Sequence, residues 1–456
     1  MNNKKLSFTY PVSFNRDLDL NHLYYSLLAS DNEIVIDEID IYKENFTTCD
    51  IGCGIGIAPI LSGVCNPNIN SWGFDYDQQA IDIGKRIIEV TELNNVNLVN
   101  CTFKKFISEE TPDFDIITIH GIYSWITDIN KKEIFEIIKS KLKPGGIIYI
   151  SYNCLNGWSD IAPFRQFLKD YQLSYNISEE HALNNGLELL NELSQFKSNV
   201  FPKGSRNKKI FENIYNSNKE YLLHEYMSDE WKLYTFPDVC NDLSNIGLIY
   251  LGSADLTRAF DPLHLDKNTI IILNRIDNPI MKESFRDLVM SPMIRRDIFA
   301  KGTVSKKEAN KKELLLNKKF TLIKPAIQIP HEFNFPLGSI SINHDIYNLI
   351  TSSLSEGSYS SNEISIKDQT IIKKYNNEAK YKILDAIQLL VATNYVSPAL
   401  NLQNDNKKIT NKFNKSLLKL QKNYDIIFPC YASPVTGGGI FRNTDITLYS
   451  SLGIEL

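Results

Sequence analysis

A chain of 456 residues with 43% hydrophobic and 23% charged residues has room for roughly two to four domains and an ordinary globular composition, which excludes a disordered or low-complexity protein. Its net charge of -5 shows no excess of basic residues, so neither nucleic acid nor an anionic membrane is the expected partner. The seven cysteines, at 49, 53, 65, 101, 154, 240 and 430, form no CxxC pair and read as reduced core residues, and the start, MNNKKLSFTYPVSF, has no apolar run of signal-peptide length. With no uninterrupted apolar stretch of about 18 residues either, a cytoplasmic protein without membrane insertion is expected.

From 46 to 153 short β-branched runs alternate with helical segments, the pattern of an α/β, Rossmann-like, doubly wound parallel sheet. Strands are expected at 46–51, 70–75, 97–102, 115–120 and 146–153, and helices near 57–64, 78–94 and 130–141. KPGG at 143–146 ends the last of these helices and launches a strand. Beyond 160 the pattern turns mainly helical, with apolar residues at helical spacing over 161–245 and 280–320, a short strand within 246–256, and a charged junction, KGTVSKKEANKK, at 301–312. Over 344–400 a helix, a Gly-Ser turn, a second short helix and YKILDAIQLLVATNYVSPAL suggest a winged-helix-like module. Its last helix offers few basic residues for phosphates, so packing rather than DNA binding is the expectation.

Where the first strand hands over to a helix lies DIGCGIG, Asp50 to Gly56. Glycine at 52, 54 and 56 lets the backbone turn tightly and approach a ligand where a Cβ would obstruct. The dinucleotide fingerprint would need another glycine at 57, where Ile57 stands, which argues against NAD or FAD. Asp50 would repel a pyrophosphate but suits the ammonium of a methionine tail. Asp75, at the end of the second strand, falls where such folds grip ribose hydroxyls, and Thr102 and Phe103 fall where they hold adenine. This ordered set points to S-adenosylmethionine, with Cys53, Tyr76 and His120 completing the candidate cofactor residues.

Ligands of open parallel sheets sit outside the carboxyl ends of the strands, so HGIYSW (His120 to Trp125) and SYNCLNGW (Ser151 to Trp158) should border the transferred methyl. A sulfonium donor needs a positioned nucleophile and no metal. Tyr123, Trp125, Tyr152 and Trp158 are candidate aromatic walls, and Asn153 and His120 candidate hydrogen-bonding partners. His224-Glu225 lacks the second histidine of a zinc-protease motif, and neither GxSxG nor GxxxxGK[ST] occurs.

HGIYSWI, LKPGGIIYISYNCLNGW, LHEYMSDEWKLYTFPDVCNDLSNIGLIYLGSADL and MIRRDIFAKG resemble bacterial methyltransferases that carry a methyltransferase regulatory domain, a family that includes rickettsial lysine methyltransferases of outer-membrane proteins. The resemblance runs from about 10 to 320 and continues weakly through YASPVTGGGI. It implies methyl transfer to exposed lysines of a protein acceptor, and a homodimer is admitted. By motif, Asp50, Gly52, Gly54, Gly56, Asp75, Thr102 and Phe103 would hold the cofactor, with His120 to Trp125 lining it. One departure is Asn156, where the family's NxxPGW segment has proline. The expected domains are a cofactor domain at 1–160, a helical regulatory domain at 161–325 and a winged-helix-like domain at 326–456. A methyltransferase for a small metabolite or glycan, or a cofactor-binding regulatory module, remains open as an alternative.

Overall fold

Alternating β-branched and amphipathic segments resolve into seven strands of one sheet, β1 (Thr47–Ile51), β2 (Asn70–Asp75), β3 (Val96–Asn100), β4 (Phe114–Ile119), β5 (Leu142–Asn153), β6 (Leu248–Ser253) and β7 (Ile294–Lys301). The computed structural model describes residues 13–30, 45–196, 198–202, 206–302, 311–335, 338–342, 344–401, 404–423, 428–442 and 444–456. The sequence start read for a leader (1–12) and most of the charged junction (303–310) lie outside these residues.

The strand order is β3-β2-β1-β4-β5-β7-β6. β1 to β5 pair in parallel, while β7 runs antiparallel to both β5 and β6. The helices through the first half are α1 (Leu20–Ala29), α2 (Ile57–Cys65), α3 (Gln78–Thr91), α4 (Phe103–Ile107) and α5 (Asp128–Lys141). Asp77 starts α3 by accepting the N–H groups of Gln79 and Ala80, and Thr127 starts α5 by accepting that of Asn130, as N-cap residues do. After β5 come α6 (Leu155–Trp158), α7 (Ala162–Tyr175), α8 (Glu179–Ser194), α9 (Arg206–Tyr215), α10 (Lys219–Met227) and α11 (Phe236–Ser244). Between β6 and β7 lie α12 (Asp261–His264), α13 (Lys267–Leu273) and α14 (Pro279–Met290).

Two expectations change here. IRRDIFAK, inside the stretch read as helical over 280–320, is the strand β7, and it pairs with β5 from Ile147↔Ala300 to Asn153↔Ile294. The sheet therefore crosses the expected boundary at 160, and α6 to α11 are inserted between its fifth and sixth strands.

The rest of the chain is mostly helical: α15 (Lys311–Asn317), β8 (Lys319–Leu322), β9 (Glu332–Phe335), β10 (Gly338–Ser341), α16 (His344–Glu356), β11 (Tyr359–Ser360), α17 (Ser361–Ser365), α18 (Gln369–Tyr375), α19 (Ala379–Ala392), β12 (Val396–Ala399), α20 (Asn404–Asn423), β13 (Cys430–Ser433) and β14 (Gly438–Phe441). β8 pairs antiparallel with β11 and β12, and α15 to α19 share one core with Tyr24, Tyr25 and Leu28 of α1. No described helix is long and apolar enough to cross a membrane. All seven cysteines are free, and all but the half-buried Cys53 are buried.

One face of the sheet packs against α4, α5 and α11; α1 and α2 cover the other. The C-terminal segment also joins this second layer. Phe413, Leu417 and Leu420 of α20, with Phe428 and Cys430, bury against Ile57, Ile60, Leu61 and Val64 of α2 and Ile83 and Ile87 of α3. These contacts make the tail part of the sheet domain's core. Phe413→Ala should therefore destabilise the fold by about 3–5 kcal/mol, the scale for an emptied phenylalanine site. Denaturant unfolding measures it, and a loss below about 1 kcal/mol would deny α20 a core role.

Candidate active site

The site is built at the carboxyl ends of β1, β2 and β4. β1 runs into three glycines with φ of +70° (Gly52), +55° (Gly54) and +79° (Gly56), a left-handed path that other residues adopt at a cost. Gly52 and Cys53 donate their N–H groups to the carbonyl of Phe74, which folds the turn over the end of β2. A Cβ on Gly52 would collide with Ile122, whereas one on Gly54 would meet nothing within 4 Å. The turn is thus closed on the Ile122 side and open above Gly54, where a ligand's atoms can approach the backbone.

Asp50 lies buried at the end of β1 and accepts one hydrogen bond, from Thr118 Oγ1 at 2.6 Å. Burial pushes its carboxyl up to about 7; Thr118 opposes the shift and the charge of Asp75 adds to it. A buried carboxylate with no cation beside it among the described residues is a ready partner for the ammonium of a methionine tail.

Asp75 holds the glycine turn together, accepting Gly54 N–H on Oδ2 and Asp77 N–H on Oδ1, each at 2.9 Å. Burial raises its pKa and these backbone bonds restrain the rise. Each oxygen keeps a lone pair for a ribose hydroxyl. Tyr76 next to it is 72% exposed, and the Cys53 thiol packs against Gly73. Thr102 spends its hydroxyl capping α4 at Lys105 N, and Phe103 meets Phe74 edge-on at 6.0 Å, leaving a half-buried ring beside the end of β3.

His120 ends β4. Its Nδ1 lies 3.1 Å from both the Tyr149 hydroxyl and Ser151 Oγ, and its Nε2 lies 3.2 Å from Asn15 Nδ2. Burial, aided by the positive charge of Arg296, lowers its pKa to about 4, so the ring is neutral at physiological pH.

The residues expected as methyl-site walls divide. Trp125 is half-buried, its ring stacked on His224 of α10 at 4.7 Å. Asn153 is buried, and its Nδ2 finds no partner among the described residues. The other three are enclosed in cores. Tyr123 is fully buried, donating to Asp242 at 2.8 Å. Tyr152 points from the opposite face of β5 to Ser151 and donates to Asp297 at 2.6 Å, and Trp158 is buried in the core of the helical insertion against Tyr226 and Trp231. For Tyr152 position at a strand end was legible, but the pleat turns alternate side chains away, while Tyr123 and Trp158 lie in helical turns beyond the strands. Sequence reasoning missed Thr118, Tyr149 and Asn15, and gave Ser151 no role of its own within its segment. Thr118 and Ser151 were within reach, since each stands two residues from a named candidate on the same strand and so shares its face.

The strand order and the glycine turn beside paired carboxylates define a class I methyltransferase, whose cofactor is S-adenosylmethionine. Residues 42–222 match the family described as a methyltransferase domain, and residues 218–301 the one described as a predicted methyltransferase regulatory domain. One chain thus carries a match to a methyltransferase domain followed by a match to a methyltransferase regulatory domain. It is 29% identical over 403 residues to the uncharacterized protein sll1526 of Synechocystis sp., covering 88% of this chain and 78% of that one. It is 29% identical over 180 residues to protein RP028 of Rickettsia prowazekii, covering 40% of this chain and 72% of that one. Among solved structures, PKMT2 from Rickettsia typhi in complex with AdoHcy superimposes with a TM-score of 0.62 at 20% identity, over 85% of this chain and 77% of that one, and so shares its fold.

Two measurements test the site. Asp75→Ala should weaken adenosylhomocysteine binding by about 1.5–3 kcal/mol, the scale of hydrogen bonds to a charged group. Because Asp75 also ties down the Gly54 turn, the melting temperature should fall as well; normal binding would move the ribose role to Asp77. The second test concerns pH. The folded protein holds the Asp50 proton up to about 7, against 3.8 as the ordinary value, so ionising Asp50 costs stability as pH rises through that window. A ligand ammonium favours the ionised form. Adenosylhomocysteine affinity should therefore rise about tenfold per pH unit up to about 7 and then level off, with proton release seen in calorimetry across buffers. A flat profile in Asp50→Asn and a sloping one in the native protein is the expected pair, and equal profiles would remove Asp50 from the tail site.

Proposed function

We propose that this enzyme methylates lysine side chains of a protein acceptor, of the outer-membrane or surface class that its family resemblance suggests. The observation that carries the reading is the helical insertion. Residues of α7 to α10 form a core of their own, and the insertion meets the catalytic sheet beside the methyl edge, where His224 stacks on Trp125. A small substrate occupies ~300–1,000 Å³ and can be closed in by the sheet and one loop. A protein acceptor needs roughly 800 Å² of surface from its partner, which an inserted layer of helices supplies. The fold shared with PKMT2, whose structure holds AdoHcy, agrees with this reading.

S-adenosylmethionine supplies an electrophilic methyl group on a sulfonium. The chain's own task is to bring in a lysine that has lost its proton to water, since an ammonium has no lone pair. As the N–C bond forms, the C–S bond breaks. The half-buried Trp125 and His224 rings offer an apolar wall for the lysine's carbon chain, and desolvation there favours the neutral amine. Asn153, with an N–H to spare, is the group at the end of β5 that can bond the acceptor.

Incubation with cell-surface proteins, native or partly unfolded, should add about 14 Da per methyl on lysine, one CH₂ each. Label confined to a metabolite fraction would reject the protein acceptor, and methyl groups found on glutamate, glutamine or chain termini alone would reject lysine. Trp125→Ala should cut kcat about tenfold or more with adenosylhomocysteine affinity nearly unchanged, because the ring borders the acceptor and not the adenosine.

A further inference from the structure

The residues before α1 lie across the finished site although they precede its first strand. Phe14 buries in the same cluster as Ile55 of the glycine turn and Ile57 of α2, with its ring edge-on to Phe441 at 5.0 Å. Asp17 pairs with Arg296 of β7 at 2.6 Å. Asp19 accepts the N–H of Gly439 at 3.1 Å, so the C-terminal hairpin grips the segment from behind. Between these anchors stands Asn15. Its Oδ1 accepts the N–H of Asp17 at 3.0 Å, which leaves its Nδ2, a pure donor, facing His120 Nε2.

That orientation has a chemical consequence. A ring nitrogen that accepts from an amide carries no proton, so neutral His120 must hold its proton on Nδ1, opposite to the tautomer that free imidazole side chains favour. Nδ1–H then faces the Tyr149 hydroxyl and Ser151 Oγ, and Ser151 Oγ also accepts the N–H of Gly121 at 2.8 Å. The same segment, 120–122, rests on the glycine turn through Ile122 over Gly52. His120 also follows Thr118, which holds Asp50, on the same face of β4.

We propose that Asn15 is a positioning residue of the cofactor site: it sets the tautomer of His120 and, through Ser151, the course of the Gly121 backbone beside the methionine-tail pocket. Residues from the chain's start therefore complete a site whose recognisable motif begins 35 residues later, at Asp50. The proposal rests on Asp50 and the glycine turn as the tail site and is independent of which acceptor is methylated.

The test uses the full-length protein labelled with ¹⁵N-histidine. In the native protein the His120 resonances should show Nδ1 protonated and Nε2 bare. Asn15→Ala removes the donor and should move the proton to Nε2, with adenosylhomocysteine affinity falling about tenfold. Asn15→Asp, which can only accept, should enforce the Nε2–H form and lower affinity at least as far, while Asn15→Gln should restore the native tautomer in part. Melting curves of the variants should stay within a few degrees of the native one, which separates positioning from folding. A native ring already protonated on Nε2, or a tautomer switch with unchanged affinity, would overturn the proposal. Failure of the native protein to bind adenosylhomocysteine would instead strike at the tail site itself.

Discussion

The side chain of Arg295 is shut off from water, so its charge has to be answered inside the protein. Asp287 meets its Nη1 at 2.8 Å, Asp297 its Nε at 2.9 Å, and Glu283 its Nη2 at 3.0 Å, while the guanidinium lies over the ring of Phe236 at 4.2 Å. Arg258 shares Asp287 and Glu283, and Tyr152 donates to Asp297. Desolvating so many charges is costly, and removing one member of such a network typically loses about 3–5 kcal/mol because the others are left unanswered. What it confers is position: α14, β7 and β5 have one arrangement in which every charge is met.

The sheet depends on that arrangement. β7 lies between β5 and β6, so the helical insertion hangs from a loop whose two feet, at the end of β5 and the start of β6, are held in one hydrogen-bonded ladder through β7. Trp125 and His224 can then meet reproducibly although they belong to different layers. The cofactor half of the site is rigid for a different reason, since its turn is fixed from inside by Phe74, Asp75 and Ile122. The helical insertion and the cofactor half of the site thus rest on separate supports that join at the end of β4.

The cofactor half was legible because each of its residues answers a local demand: positive φ at Gly52, Gly54 and Gly56, a carboxylate at the end of each of two strands, and fixed spacing between them. β7 was hidden because Arg295, Arg296 and Asp297 stand consecutively in it, and three charges in a row read as solvent-facing until their partners, at Asp17, Asp255, Glu283 and Asp287, are brought from elsewhere. Tyr152 was placed at the right strand end but not on a face, and a strand of β5's apolar character gives no alternation to decide it, whereas Trp158 falls in α6, beyond the strand. Asn15 carried no signal at all, since its meaning arises from a ring 105 residues away.

The insertion also bears on how a nascent chain reaches this fold. Once β5 has left the ribosome its outer edge, ending at Asn153, presents unpaired backbone groups until β7 arrives, beginning at Ile294. At ~5–20 residues per second that wait is on the order of ten seconds. An exposed, apolar strand edge is a template for pairing with other chains. In the interval the helices α7 to α10, rich in local contacts, can assemble around their own core and shelter the end of β5. The same insertion that would present an acceptor to the mature enzyme is thus placed to guard its unfinished sheet during synthesis.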